Sequence, residues 1–489
     1  MEESKYCNLG DVCNTISETY RANSSKVVLI NTSDVLEGAC LNHEKVENKD
    51  LKGQFKKVFH QNDILYSEIR PANKRFAFME ELKEYRLEEI GTIVGGATPS
   101  TKEQSYYDGN ISWITPKDLS NYTYRFISRG KRMISQNGFD SCSCKMLPKG
   151  SILFSSRAPI GYIAIAENEL CTNQGFKSII PNNRIVDNMF LFYLLEYNKH
   201  AIEGMGSGTT FKEVSGDVMK KFKVRIPCLQ KQKQIASVLS IIDEKIELNR
   251  RINDNLEQQA QALFKSWFVD FEPFKDGKFI NSELGRIPEG WKVEPLINFC
   301  SEITRGNIPS YVEKSGFPIL NQKVNKGFYL DKQYYKYNAE TSQPQESKLA
   351  HKWDILLNSL GQGTLGRVHF YKDEKSNIIV DQFITILRAN IFIKSAYLAF
   401  TLNRPEYQAI IESNITGSTG MWVLTINNIR KIKIVSPPIS ELSKISNLME
   451  NLYLKMNNNT KEQEELSILR DSLLPKLMSG ELKINDLNN

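Results

Sequence analysis

Two stretches of the chain carry apolar residues in alternating steps of three and four. The first runs Leu239, Ile242, Ile246, Asn249, Asn253, Leu256, Ala260 and Leu263. The second keeps the rhythm through Met449, Leu452, Met456, Asn459, Gln463, Leu466 and Leu473. This is the spacing of an a/d seam and predicts two long helices, over 229–271 and 439–482. A helix of ~40 residues is ~60 Å long, too long to hide in a small domain, so each needs a partner helix. The expected partner is the other copy, with Asn249 and Asn459 setting register and orientation at some cost in stability.

A constant shift of 210 residues lays one stretch on the other: Ile235 on Ile445, Leu239 on Met449, Asn249 on Asn459 and Pro227 on Pro437. The regions ahead of the helices also correspond. Ile111-Ser112-Trp113-Ile114 answers Phe317-Pro318-Ile319-Leu320, and Ile152-Leu153-Phe154 answers Ile355-Leu356-Leu357. Each region closes on a glycine-rich loop, at 204–210 and 417–420. Short strands between turn residues, interleaved with helical runs, predict an α+β fold of two repeated globules, over 79–228 and 291–438. A linker is expected over 272–290 and a tail over 483–489. Residues 1–78 read as a truncated third copy: Val27 to Asp34 resembles the stretch ending at Asp118, and Asp63 to Pro71 resembles Ser151 to Pro159. Met79-Glu80-Glu81-Leu82 reads like a fresh start.

Composition narrows the class. The 489 residues are 40% apolar and 25% charged, as in ordinary folded chains. No apolar run is long enough to cross a bilayer, and the first residues lack a secretory pattern, so a cytoplasmic protein without membrane contact is expected. The eight cysteines show no zinc or disulfide spacing and read as reduced thiols. A net charge of +6 suits a polyanionic partner without establishing one.

The order of several motifs resembles the specificity subunit of type I restriction-modification systems. They are Ile111 to Leu119, Gln230-Lys231-Gln232-Lys233-Gln234-Ile235-Ala236, Lys245-Ile246-Glu247-Leu248-Asn249, Ala262 to Phe271, Leu284 to Trp291, and Leu473 to Leu482. The resemblance covers residues 79–482. It implies a non-catalytic subunit whose two target-recognition domains read the halves of an interrupted site in double-stranded DNA. The helix pair would set the spacing and dock two methyltransferase (modification) subunits. Restriction and translocase subunits complete the assembly, and S-adenosylmethionine, ATP and Mg belong to those partners, with no cofactor on this chain. The family pattern has no third domain, so residues 1–78 depart from it, and Pro227-Cys228 stands where the second copy has Pro437-Pro438.

Base readout needs directional donors, while phosphate contact needs only cations or backbone amides. Candidates for DNA contact in the first domain are Lys117, Arg125, Arg129, Lys131, Arg132, Arg157 and Lys212, with Gly208 and Thr209 of the glycine loop. In the second they are Arg305, Lys323, Lys326, Lys348, Arg367 and Gly417. Trp113 and Trp422 could stack on a base, though core packing is favoured for both.

Other chemistry is weakly supported. Gly361 to Arg367 lacks the Lys-Ser/Thr of a phosphate loop. Ser436-Pro437-Pro438-Ile439 lacks the Asn or Asp and the aromatic of an adenine-methyltransferase pocket. Asp63, Glu68 and Arg70 only imitate a nuclease cluster, and the five histidines show no metal spacing. Two alternatives to a DNA reader remain: a coiled-coil scaffold whose globules bind protein or another ligand, and a stand-alone methyltransferase or nuclease.

Overall fold

The computed structural model describes residues 82–482 apart from 209–211, 314–315, 341–343, 362, 374–377 and 418–421, together with short stretches between 16 and 78. By internal contacts the chain divides into two units, Met1–Glu244 with Ser467–Asn489, and Lys245–Leu466. The division runs through both long helices.

In the first unit a five-stranded sheet has the order Gly91–Gly95, Lys177–Pro181, Ile152–Phe154, Ile163–Ala166, Phe126–Ile127. Its central strand, Ile152–Phe154, is buried on both faces, which is why Ile-Leu-Phe runs without alternation. A smaller sheet sets Tyr107–Ile114 between antiparallel Met133–Ile134 and parallel Cys171–Thr172. Lys83–Arg86 pairs with Lys223–Ile226, drawing the two ends of the globule together.

The second unit repeats this plan. Its main sheet has the order Glu302–Arg305, Ile384–Arg388, Ile355–Asn358, Val368–Phe370. Phe317–Leu320 lies between antiparallel Lys336–Asn338 and parallel Ile379–Val380, and Lys292–Pro295 pairs with Lys433–Ser436. The equivalence reaches single backbone contacts. A Cβ on Gly96 would stand 2.2 Å from the carbonyls of Thr172 and Asn173, and one on Gly306 would stand 2.3 Å from those of Val380 and Asp381. Only glycine lets these strands approach so closely.

The long helices are α1 (Leu229–Phe268) and α2 (Ile439–Ser479). The first ends three residues earlier than the seam predicts, because Phe271 takes a left-handed conformation, φ 54°, and turns the chain into Glu272–Phe274. The expected linker is then largely a hairpin of Phe279–Ser282 and Gly285–Pro288. Phe271 and Phe274 close edge-on around Trp291 at centroid distances of 5.4 and 5.2 Å. Gly480, φ 79°, stops α2 ahead of the expected end at 482.

The helical stripes do more than pair with each other. In the first unit Ile235, Ala236 and Leu239 of α1, with Leu477 and Met478 of α2, join the core of Leu87, Phe190 and Tyr193; Leu473 packs against its edge. In the second, Leu256, Ala260, Phe264 and Phe268 of α1, with Met449, Tyr453 and Met456 of α2, join Phe299, Tyr397 and Leu402, and Leu263 and Leu452 pack alongside. Each globule thus grips parts of both helices. The expected two-helix seam is thereby widened: Leu239, Leu256, Met449 and Met456 are core residues of the globules as well, in clusters that hold residues of both helices. Ile242 and Ile246 are buried outside these clusters, and Leu466 is half-buried.

Ahead of residue 82 the described stretches are short paired strands. Lys26–Val28 pairs antiparallel with Lys45–Glu47, its partners 21, 19 and 17 residues apart. Phe317–Leu320 meets Lys336–Asn338 in the second unit at the same separations.

Candidate nucleic-acid interface

In the first unit, strand Tyr107–Ile114 delivers a turn that carries Lys117. Asp118 builds the turn: its Oδ2 accepts from the Thr115 amide at 2.7 Å and hydroxyl at 2.6 Å, and its Oδ1 accepts from the Lys131 amide at 2.8 Å. One carboxylate therefore fastens the Lys117 turn to the segment bearing Arg129, Lys131 and Arg132. All four cations are exposed. The Arg132 guanidinium lies 3.5 Å over the Tyr107 ring, a geometry that fixes a long side chain at little entropic cost.

Arg125 does not belong to this group. It is 6% exposed, with Nη1 3.5 Å from the Tyr193 hydroxyl and Nη2 4.0 Å from Glu244. The residue lies on the strand edge leading into Phe126–Ile127, facing inward, so it serves the core. Arg157 is half-exposed and paired through Nε with Glu213 at 2.9 Å, where Lys177 also reaches the carboxylate at 3.5 Å. Burial pushes the Glu213 carboxyl up, but hydrogen bonds and charge from Arg157 and Lys177 outweigh it and leave the group below the usual range. Bridges from Glu213 to Arg157 and to Ser207 close the base of the glycine loop. Gly208, φ 125°, and Lys212 are exposed on its flanks, and Thr209 lies outside the described residues.

In the second unit, Arg305 and Arg367 are half-buried and give their guanidinium groups to backbone carbonyls. Arg305 donates to Leu424 at 2.7 Å and Gln382 at 3.4 Å, and Arg367 to Asn325 and Gly363, both at 3.2 Å. Both arginines hold loops together. Lys323 is exposed, and Lys348 is half-buried at the end of the short helix Glu346–Lys348. Lys326 sits 3.8 Å from Asp331 and 4.4 Å over the Tyr334 ring. Gly417, φ 139°, is exposed beside the Thr416–Val423 bridge that closes the second glycine loop.

The two tryptophans part company. Trp113 is 6% exposed and donates its ring N–H to the Ala97 carbonyl at 3.0 Å, whereas Trp422 is 45% exposed next to the glycine loop. Core packing thus describes Trp113 alone.

Sequence reasoning overlooked a second set of residues beside the cations. Asn325 and Leu330 bridge across a two-residue hairpin turn, with the Lys326 amide donating to the Tyr329 carbonyl at 3.1 Å and Gly327 at φ 90°. This is the II′ pattern, which demands glycine first. The turn exposes Phe328 (70%) and Tyr329 (51%). In the first unit the same loop has Asn121 at φ 66° followed by Tyr122, 37% exposed and donating its hydroxyl to the Phe126 carbonyl. Gly327 ahead of two aromatics was the available signal.

The described cysteines 142, 144, 171, 228 and 300 are free thiols. Among the described residues no group of His, Cys, Asp and Glu is arranged to hold a metal ion, and no helix is long and apolar enough to cross a membrane.

Two globules that share a four-strand order, unlike at their loops and each gripping both long helices, define a duplicated scaffold with two different outer surfaces. A family model described as the type I restriction modification DNA specificity domain matches residues 79–258. The specificity subunit of the type I restriction enzyme MjaIX of Methanocaldococcus jannaschii is 36% identical over 415 residues, covering 82% of this chain and 94% of its own. That of HindI of Haemophilus influenzae is 24% identical over 551 aligned positions, covering 99% and 100%. A crystal structure of a type I restriction-modification system S subunit from M. genitalium matches at 17% identity and TM-score 0.49, covering 81% of this chain and 96% of that chain. The chain belongs to the family of type I restriction enzyme specificity subunits.

Proposed function

We propose that this chain is the non-catalytic DNA-reading subunit of a type I restriction-modification complex in the cytoplasm, each globule reading one half of an interrupted duplex site. The observation that carries this reading is the repetition of one strand order under two unlike sets of loops, Lys117 to Arg132 in one unit and Lys323 to Phe328 in the other. A common scaffold gives both readers the same attachment, while different loops let the two half-sites differ. Helices α1 and α2, continuous over 40 and 41 residues, act as the spacer, since half-sites at a set interval need readers at a set interval. The same helices dock two methyltransferase subunits. Those subunits and the restriction subunits supply the S-adenosylmethionine, ATP and Mg chemistry.

Residues 1–78 are a partial third copy; the shared pairing separations of Lys26–Val28 and Phe317–Leu320 support this. A chain starting at Met79 retains duplex binding in the assembled complex.

The decisive experiment combines the chain with its methyltransferase partner and measures binding to defined duplexes over a salt series. Sequence-dependent binding with a steep salt slope supports the proposal. Exchange of residues 291–435 for another second domain changes one half of the methylated sequence only. Binding indifferent to sequence, or a change in both halves, rules the modular reading out.

A further inference from the structure

The second globule holds an exposed aromatic tip on an unusually well-fastened base. Phe328 and Tyr329 stand 70% and 51% exposed at the end of a two-residue hairpin turn. Beneath them, Asn325 is fully buried. Its Oδ1 accepts from the Gly327 amide at 2.8 Å, and its Nδ2 donates to the Leu356 carbonyl at 3.1 Å and the Asn358 Oδ1 at 2.9 Å. Asn358, also fully buried, donates in turn to the carbonyls of Gln322 and Thr364 at 3.0 and 3.1 Å. From the other side the buried His369 ring donates through Nδ1 to the Gly327 carbonyl at 2.6 Å. A carbonyl can only accept, so Nδ1 carries a proton.

Buried polar side chains are costly unless satisfied, and here three of them are spent on holding one turn. The turn's own tip buries little. Rigid presentation of apolar rings to solvent gains nothing for the folded chain, but it lowers the entropic cost of meeting a partner. Lys323 is exposed at the root of the loop, while Lys326 within it is half-buried, 3.8 Å from Asp331 and 4.4 Å over the Tyr334 ring. An apolar tip with an exposed cation at its root matches a duplex: a phosphate for the lysine and base faces for the ring.

We propose that Phe328 is a wedge that enters the duplex at the half-site read by the second globule, unstacking a base step there, while Lys323 holds an adjoining phosphate. This deepens the DNA-reading function proposed above and rests on it. The first globule lacks the device in this form. At the matching place Tyr122 is less exposed, and its hydroxyl is committed to the Phe126 carbonyl. The two half-sites are therefore engaged differently, one with local unstacking and one without.

The test uses the full chain assembled with its methyltransferase partner and duplexes of the mapped target carrying 2-aminopurine at successive positions. Wild-type binding is expected to raise fluorescence at one step of the second half-site and nowhere in the first. Phe328→Ala abolishes the rise and weakens specific binding by about fivefold or more, the scale of losing one aromatic–base contact. Phe328→Trp restores both, and the salt slope is unchanged because no phosphate contact is lost. Phe328 is largely exposed, so the variant keeps its thermal midpoint. Phe328→Ala binding as tightly as wild type, or fluorescence flat at every position, overturns the wedge while leaving the DNA reader standing. Wild-type binding indifferent to sequence overturns the DNA reader itself, and the wedge with it.

Discussion

Asn459 donates its side-chain amide to the Oδ1 of Asn253 at 2.9 Å, joining α2 to α1 within the second unit. Asn253 passes its own amide to the Met456 carbonyl and the Thr460 hydroxyl, both at 3.2 Å. One turn away Asn249, 1% exposed, donates to Glu462 at 2.7 Å, and Lys245 meets the same carboxylate at 3.3 Å. The contacts run in opposite directions along the two helices, so the pairing is antiparallel. Two of the donors, Asn249 and Asn459, stand at positions the 210-residue repeat makes equivalent. A polar layer of this kind penalises a shifted register, because a slip by one turn would bury these amides against apolar side chains.

Removing one member leaves its partner unsatisfied. Asn253→Leu and Asn459→Leu are each expected to destabilise the chain by about 1–2 kcal/mol. Asn253→Leu combined with Asn459→Leu recovers most of that loss. Denaturant unfolding of both single variants and the double variant completes the cycle, and strictly additive losses would show that the two amides do not act as a pair.

A second anchor lies within the first unit. Asp243, 5% exposed, accepts from the Tyr193 hydroxyl at 2.7 Å and from Arg470 Nη1 at 2.9 Å. Burial, first, and then the charge of Asp243 push the Tyr193 phenol well above its usual range. Arg470→Met leaves the carboxylate with the phenol alone and is expected to cost about 1–3 kcal/mol, less than a wholly buried pair because Arg470 is partly exposed. Asp243→Asn in the same chain recovers part of it. Thermal unfolding reads both.

His369 makes the second unit sensitive to acid. Burial pushes its imidazole down to about 4 from an ordinary value of 6.5, and Lys372 adds a smaller push. Between these values the unfolded chain binds a proton that the folded chain refuses. The contribution is therefore fully present above pH 6.5 and is lost as pH falls toward 4, amounting to about 3 kcal/mol at most. Unfolding midpoints measured from pH 7 to pH 4 are expected to fall more steeply for wild type than for His369→Gln.

Gly96 and Gly306 offer matched tests of the repeat. Alanine at either place sets a methyl carbon against two carbonyls of a neighbouring strand end, at a cost of about 2 kcal/mol or more. Gly96→Ala should open the first unit and Gly306→Ala the second. Hydrogen exchange separates the two; general loosening by either variant would argue against independent units.

Much of this architecture can be read from side-chain rhythm. Two helices of about 40 residues follow from the steps of three and four, because an apolar stripe that long has few other solutions. The duplicated globule follows from the 210-residue shift. What the stripe does not reveal is its second neighbour: Leu239 and Met449 look the same whether they face a helix alone or a sheet-backed core as well, and here each sits in a globule core that also holds residues of the other helix. Charge was a poor guide at Arg125, Arg305 and Arg367. An arginine that satisfies backbone carbonyls or buried oxygens is indistinguishable in sequence from one that faces solvent. The aromatic tip escaped notice for the opposite reason, since phenylalanine is assigned to the interior by default and only the left-handed Gly327 ahead of it marks a turn. Its supports, Asn325, Asn358 and His369, are far apart along the chain.

Leu473, Leu474, Leu477 and Met478 complete an apolar core begun by Leu87 and Ile90. During translation that core must therefore wait, unsealed, while the whole second unit leaves the ribosome. A frameshift or early stop after residue 466 would spare every residue of the second unit and still leave the first with an open greasy seam. Such a nascent product would be a substrate for chaperones and proteases.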